Sequence, residues 1–188
     1  MKSGHQERKW GRKLTGQARK AVDGVLDRVP SPLKENLYLR AFGTLKVPLL
    51  GWVGPQVLEV SDERCVIQIP LSRRTKNHLN SLYFAVLAAG ADCAGGLIAM
   101  RLIESSGEPV SLVFKDFHAE FLKRADGDTV FTCADGVAIR NLVAQAIETG
   151  ERQNLPVTVV ATVPSKHGEE TVARFTLTLS LKKKSAKK

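Results

Sequence analysis

The sequence predicts an α+β fold in which an antiparallel sheet wraps around one long apolar helix. The first observation is an apolar run, 77–104, in which Asp92 is the one acidic or basic residue between Ser81 and Arg101. The second is a set of strand-like segments on both sides of that run. The length of 188 residues suffices for one domain with a substantial core. Antiparallel strands with a dominant helix are typical of the α+β class.

Two helical segments are predicted ahead of the strands. Apolar residues recur at helical spacing over 18–29. Ser31 followed by Pro32 is a capping arrangement, and it predicts a second helix over 32–46. We therefore assign 18–52 to an N-terminal helical extension of the sheet domain.

The strands are predicted from period-two alternation and from the turn residues between them. In chain order they are 56–61, 64–71, 109–123, 127–134, 155–163 and 171–181. Consecutive strands are expected to pair as hairpins around 62–63, 125–126 and 165–170. A helix over 137–149, ended by Gly150, separates the second hairpin from the third.

The central run is long enough to be read as a membrane span, but its composition favours a core helix. Asp92 would lie near mid-depth, at a cost of about 2.5–3.5 kcal/mol on insertion scales. A helix that is apolar all round is usually surrounded by protein. The run also contains many Ala and Gly residues, which would let a sheet approach closely. An acid in such a helix is either paired or functional, and the residues alone leave both open.

The net charge of +9 lies at the two ends of the chain. Residues 1–20 carry seven Lys and Arg against one Glu, and 182–188 carry five Lys, which leaves 21–181 with a net charge of −2. Such terminal blocks are usually disordered or surface-associating. We therefore interpret 1–17 as a basic disordered tail and 182–188 as a Lys-rich tail, with no nucleic-acid partner. Nucleic-acid or membrane-surface binding by the tails is the lesser alternative.

The chain has three cysteines, Cys65, Cys93 and Cys133. Their odd number and wide spacing argue against a disulfide framework and a structural zinc site. Asp116, His118 and Glu120 alternate along one predicted strand, where a polar outer face explains them more simply than a metal does. No apolar segment with a cleavage site follows the basic N-terminus, so we expect a cytoplasmic protein.

The spacing of Tyr83 and Asp92 in the central run determines whether one chain could place both at the same site. Tyr83 and Asp92 are nine residues apart. At about 100° per residue they lie on opposite sides of one helix, about 13 Å apart along its axis. If both act on one substrate, they should come from different chains, and a two-fold dimer with antiparallel helices allows that.

The polar opening and the single acid resemble the hotdog fold, specifically the phenylacetate-pathway-type acyl-CoA thioesterases and their less characterised relatives. That group carries the pattern N-x-x-G-x-x-H-G…A-D. Asn77 and Asp92 match it, Asn80 replaces the glycine, and Tyr83 and Phe84 replace the His-Gly pair.

A second motif carries the same resemblance. Residues 121–128, F-L-K-R-A-D-G-D, are similar to the family's F-L-[KR]-P-A-x-G-[DT] turn, with Arg124 where proline is common. The likeness covers about 56–181, and we assign 53–181 to the hotdog domain.

The resemblance implies hydrolysis of acyl-CoA thioesters without a metal or other cofactor, in a homodimer or homotetramer whose site lies at the subunit interface. Asp92 would act as general base or nucleophile and the Phe84 amide as oxyanion donor. Asn77 would orient the thioester or the water, and Tyr83 could donate a hydrogen bond. Candidate substrate-binding residues, the basic ones for the coenzyme A phosphates, are Asn80, Ser81, Arg73, Arg74 and Lys76. The basic loop could equally be a solvated surface, and the alternative function is acyl-CoA binding without turnover.

Overall fold

The computed structural model describes residues 46–184 and six residues of the preceding segment. Those six, all helical, are Leu33, Asn36, Leu37, Leu39, Arg40 and Gly43. They fall within the helix predicted over 32–46. The predicted helix over 18–29, the basic tail 1–17 and the last four residues lie outside the described residues.

Besides the helical residues of 33–43, the described chain forms four helices and one six-stranded sheet. The elements are α1 (Pro48–Val53), β1 (Gln56–Val60), β2 (Cys65–Ile69), α2 (Phe84–Ser106), β3 (Val110–Phe121), β4 (Thr129–Cys133), α3 (Gly136–Thr149), β5 (Gln153–Thr162), α4 (Pro164–His167) and β6 (Thr171–Lys183). The strand order is β1-β2-β4-β5-β6-β3, and all neighbouring strands are antiparallel. The predicted α+β fold is confirmed.

Two of the three predicted hairpins form, and the third prediction is wrong. β1 pairs with β2, and β5 pairs with β6. β3, however, pairs with β6 rather than with β4, which lies between β2 and β5. β4 buries Thr129, Phe131 and Cys133 completely, and it lies inside the sheet between β2 and β5. β3 is long and largely exposed, and the equally long β6 gives it a ladder from Val110 to Phe121.

α2 is the buried helix around which the sheet is built, as predicted. It packs against β2 to β6 and against α3, and twelve of its 23 residues are buried. Its length and hydropathy would allow it to cross a membrane, but in this fold it is the core helix. A Cβ at Gly90 would overlap the ring of Phe131, so this position requires glycine for close approach to β4. The helix ends at Gly107, which has the left-handed φ of 68°.

A helical cap, which we define as the six described residues of 33–43 together with α1, covers one end of the sheet and α2. The Asn36 side chain fixes it to β1, accepting from the Val57 amide (2.7 Å) and donating to the Val57 carbonyl (2.8 Å). Gly43 lies against the backbone of Gly51 in α1. Three cap residues, Leu39, Leu50 and Val53, are buried in the core.

Candidate active site

Asp92 lies on the wall of a cavity of about 560 Å³. Its side chain is partly buried, and within the described part of the chain its carboxylate has no hydrogen bond or ion pair. Burial raises the pKa of this carboxyl above its ordinary value. A carboxylate left unpaired in a poorly solvated place is costly to the fold, and it is available as a base or nucleophile.

The cavity lies between α2, β3 and the helical cap. Its lining is Leu39, Val47, Leu50, Asp92, Cys93, Gly96, Leu97, Met100, Ile103, Glu104, Val110, Ser111, Leu112, Val113, Phe114 and Lys184. β3 returns antiparallel to α2, and the Phe114 ring lies 3.3 Å from where a Cβ would stand at Gly96. From Asp92 to Ile103 the wall extends about 17 Å along the helix.

The loop before α2 is built around the side chain of Asn77. Its Oδ1 accepts from the Leu79 amide (2.9 Å), the Ser81 amide (3.2 Å) and the Ser81 hydroxyl (3.2 Å). Ser81 is buried, and its carbonyl accepts from the Asn77 amide at 2.8 Å. Asn77 and Ser81 therefore hold the loop together.

Asn80 explains one departure from the family pattern. Its φ is 56°, in the left-handed region that glycine adopts freely and that asparagine tolerates better than other residues. Its side-chain oxygen accepts from Lys76 Nζ at 2.8 Å. The replacement of the family glycine thus keeps the backbone conformation of the loop.

The N-terminus of α2 presents unpaired amides. Tyr83 is the N-cap, and no side chain caps the helix. The Phe84 and Ala85 amides donate to no acceptor within 46–184. Such amides carry partial positive charge, so they can bind an oxyanion. The Tyr83 and Phe84 rings are exposed and form an edge contact at 4.8 Å.

Residues that the sequence reasoning missed hold this helix end in place. The Tyr83 amide donates to the carbonyl of the buried Thr75 (2.9 Å), and the Leu82 amide donates to that of Ala125 (2.8 Å). Asp128 accepts from the Leu71 amide (2.8 Å). Ala125 and Asp128 belong to the 121–128 motif, which could have indicated this support.

The predicted site residues fall into two groups that one chain does not bring together. Asp92 lines the cavity, whereas the loop residues 73–84 do not. Phe84 and Asp92 are eight residues apart on one helix, so about 12 Å separates them along the axis. A ligand atom at hydrogen-bond distance from one is out of reach of the other. A second chain has to supply one group if both act on the same atom.

The predicted phosphate-binding residues Arg73, Arg74 and Lys76 lie exposed in the same loop. The Arg74 guanidinium stacks over the Trp52 ring of α1 at 5.1 Å. Lys76 bonds Asn80, as described above. The loop therefore joins the helical cap to the N-terminus of α2.

The other polar candidates do not form a site. Burial raises the pKa of the Cys93 thiol well above its ordinary value, with the neighbouring Asp92 adding to the effect, so Cys93 is not a nucleophile. Asp116, His118 and Glu120 are exposed on β3. No group of three His, Cys, Asp or Glu residues that could hold a metal ion occurs in the described chain. Gly96 and Met100, four and eight residues beyond Asp92, are cavity residues that helical spacing could have indicated.

Several solved structures have the same architecture. A Pseudomonas aeruginosa protein of unknown function, described as a probable thioesterase, matches with TM-score 0.63 and 21% identity over 83% of this chain and 99% of its own. A putative thioesterase from Shewanella oneidensis matches with TM-score 0.66 and 15% identity, over 80% and 99%. A Haemophilus influenzae thioesterase matches with TM-score 0.60 and 15% identity, over 83% and 93%.

These likenesses confirm the hotdog fold that the sequence motifs indicated. No curated protein matches the chain. The sequence model of a domain of unknown function, DUF4442, matches residues 36–181, which is most of the chain and includes the described helical cap from Asn36 onward. The chain therefore belongs to the DUF4442 family.

Proposed function

We propose that this protein hydrolyses acyl-CoA thioesters, with Asp92 as general base or nucleophile. The observation that carries the proposal is the carboxylate of Asp92, which is partly buried, lines an apolar cavity and has no partner in the described chain. Retaining such a group costs stability, and catalysis is the use that explains it best. The thioesterases among the solved structures of this fold support the same reaction class.

The reaction needs a base, an oxyanion donor and water, and no cofactor. Asp92 takes a proton from a water molecule, whose oxygen attacks the thioester carbonyl. Alternatively, the carboxylate attacks the carbonyl itself, and water hydrolyses the resulting anhydride. The Phe84 amide stabilises the oxyanion before it collapses and expels the coenzyme A thiolate. Asn77 and Tyr83 position the loop and the carbonyl. The acyl chain occupies the cavity beside Asp92.

The site is completed by a second copy of the chain in a homodimer or a larger homo-oligomer. The 12 Å offset between Phe84 and Asp92 requires it if both groups act together. In the described chain β3 is an edge strand, and it exposes Val113, Phe117 and Phe121. An exposed edge strand that carries large apolar side chains is a surface that native proteins often cover. Covering it with the β3 of a second chain provides the dimer.

Coenzyme A binds outside the cavity, where Arg73, Arg74 and Lys76 meet its phosphates. Asn80 and Ser81 form hydrogen bonds within the loop that carries these cations. The compartment we propose is the cytoplasm, where acyl-CoA is the available thioester.

The test compares the wild type with Asp92→Asn on acyl-CoAs from acetyl to palmitoyl, with the release of free thiol as the readout. We expect the wild type to hydrolyse them and the variant to lose about 10²–10⁴-fold in kcat. Glu148→Gln, which removes an exposed carboxylate from α3, is the matched control and should keep full activity. Because burial raises the pKa of Asp92, the acid limb of wild-type kcat/KM should lie above the ordinary value of 3.8. Full turnover by a folded Asp92→Asn variant would falsify the role of Asp92.

A second candidate function is acyl-CoA binding without turnover. It is favoured by Tyr83 and Phe84, whose exposed rings stand at the helix end where the oxyanion would bind. Calorimetry with a non-hydrolysable acyl-CoA separates the two functions. Binding by a wild type that hydrolyses none of the acyl-CoAs supports this second function and overturns the first.

A further inference from the structure

The described residues of the helical cap include large apolar side chains on the side of the core and on the exposed side. On the inner face, Leu39 and Leu50 are buried and line the cavity. On the outer face, four large side chains are 58–62% exposed. These four, which we call the outer cap face, are Leu33, Leu37, Leu49 and Trp52. A helix that covers a core needs one apolar face, so the fold does not account for the second.

The outer cap face is held on a rigid support. Leu33 and Leu37 are four residues apart on one helix, and Leu49 and Trp52 are three apart on α1, so each pair lies on one side of its helix. The two hydrogen bonds between Asn36 and Val57 fix the first helix to β1. The close contact of Gly43 with Gly51 fixes the two helices to each other.

Cationic residues adjoin this apolar face. Arg74 stacks on the Trp52 ring. Arg73, its neighbour in sequence, is exposed, and so is Lys46, which lies two residues before α1. The segment 1–20, which precedes the cap, has a net charge of +6. Exposed Trp and Leu side chains combined with Lys and Arg are the composition of surfaces that bind the boundary of an anionic bilayer.

The charge distribution favours a lipid surface over a second copy of the chain. A two-fold contact through the outer cap face would place the same patch on both partners and bring one Arg74 towards the other. Like charges in such a contact are unfavourable, whereas an anionic surface is complementary to them. The exposed edge of β3 already offers a surface for self-association.

We infer that the outer cap face docks the protein on an anionic lipid bilayer. Leu49 and Trp52 enter the headgroup boundary, and the cations beside them, Lys46 and Arg74, bind lipid phosphates. On the membrane, coenzyme A is then bound by Arg73 and Lys76. The protein is thereby a peripheral membrane protein whose core helix α2 stays inside its own fold.

The first experiment measures co-sedimentation of the full chain with vesicles of phosphatidylcholine alone or mixed with phosphatidylglycerol. We expect binding to the mixed vesicles only, and weaker binding as salt rises. The double variant Leu49→Ser/Trp52→Ser should reduce the partition coefficient by about tenfold, because binding scales with buried apolar area. Val137→Ser, which changes an exposed apolar residue on α3, is the control and should bind as the wild type does.

The second experiment reads the position of Trp52 directly. The chain has two tryptophans, so Trp10→Phe leaves Trp52 as the one fluorophore. Its emission should shift to the blue on mixed vesicles. The inference is overturned if Trp52 emission is unchanged while the protein binds, since the basic tails then act alone. It is equally overturned if the double variant changes the oligomeric state and not vesicle binding, because the face is then a subunit interface.

Discussion

The two ends of the candidate site differ in how their polar groups are satisfied. In the loop before α2, one oxygen of Asn77 accepts three hydrogen bonds, and Asn80 is bonded to Lys76. Eight residues beyond Phe84, the carboxylate of Asp92 has no partner in the described chain and faces an apolar cavity.

In the proposed mechanism, this difference separates the groups that position the substrate from the group that reacts with it. Hydrogen bonds within the loop hold the unpaired amides of the α2 N-terminus in fixed directions, which is what an oxyanion donor requires. The absence of hydrogen bonds at Asp92, together with its raised pKa, leaves the carboxylate basic and free to move a proton. The side chains of the loop would therefore act through the backbone, and Asp92 through its own atoms.

The sharpest test of this division removes one backbone amide. Phe84→Pro deletes the N–H at the first helical position, where proline is well tolerated. Tyr83, at φ −65° and ψ 141°, already has the extended backbone required before proline. We expect kcat for acyl-CoA hydrolysis to fall by about 10²–10³ with the fold retained.

Phe84→Ala is the matched control, because it removes the same ring and keeps the N–H. If Phe84→Pro and Phe84→Ala have equal turnover, the amide is not the donor. In that case the unpaired Ala85 amide is the remaining donor at this helix end.

The next test asks whether the two ends meet across a subunit interface. Asp92→Asn and Phe84→Pro chains, each with its own affinity tag, are expressed together, and dimers that carry both tags are purified. One of the two sites in such a dimer combines an intact Asp92 with an intact Phe84 amide. We expect about half of the wild-type activity, whereas each variant alone is nearly inactive.

Recovery of no activity in the doubly tagged dimers contradicts a shared site. Doubly tagged wild-type dimers are the control for any effect of the tags. If the protein is a monomer, no doubly tagged assembly is isolated, and the shared site is contradicted as well.

Much of the fold followed from local patterns. The small residues of α2 and the left-handed Gly107 gave the core helix and its end, because both act within one element. The pairing of β3 did not follow, because β3 and β6 are far apart in sequence and their match depends on length and burial in the assembled sheet. Strand order depends on residues far apart in sequence. The turn at 125–126, between β3 and β4, therefore did not indicate which strands pair.

The sequence indicated candidate residues but little of their geometry. Asp92 was singled out as the one acidic or basic residue between Ser81 and Arg101, and its role stays a prediction. The part of the cavity wall contributed by Leu39 and Leu50 could not be found, since it depends on how the cap folds over α2. The φ of Asn80 explains why an asparagine can replace the family glycine, and only the backbone conformation reveals it.

The loop side of the comparison is tested by Asn77→Ala, which removes the acceptor of three hydrogen bonds. We expect a loss of about 1–3 kcal/mol in the free energy of unfolding, because the buried Ser81 hydroxyl and two amides lose their partner. Urea denaturation measures it. Asn77→Asp keeps an oxygen in the same place and should lose less. Equal stability of Asn77→Ala and the wild type would mean that Asn77 does not hold the loop.

The smallest expected effect concerns the cost of leaving Asp92 unpaired. Burial raises the pKa of Asp92 in the folded state above the ordinary value of 3.8. At a pH between 3.8 and the folded-state pKa, the native state therefore binds more protons than the unfolded state. The wild type should therefore be less stable than Asp92→Asn at neutral pH, and the gap should narrow as pH falls through the folded pKa towards 3.8. Urea unfolding of both proteins over a series of pH values measures the gap. A gap that stays constant with pH would mean that Asp92 is solvated as well in the folded protein as in the unfolded chain, and the contrast with the loop would then have no energetic basis.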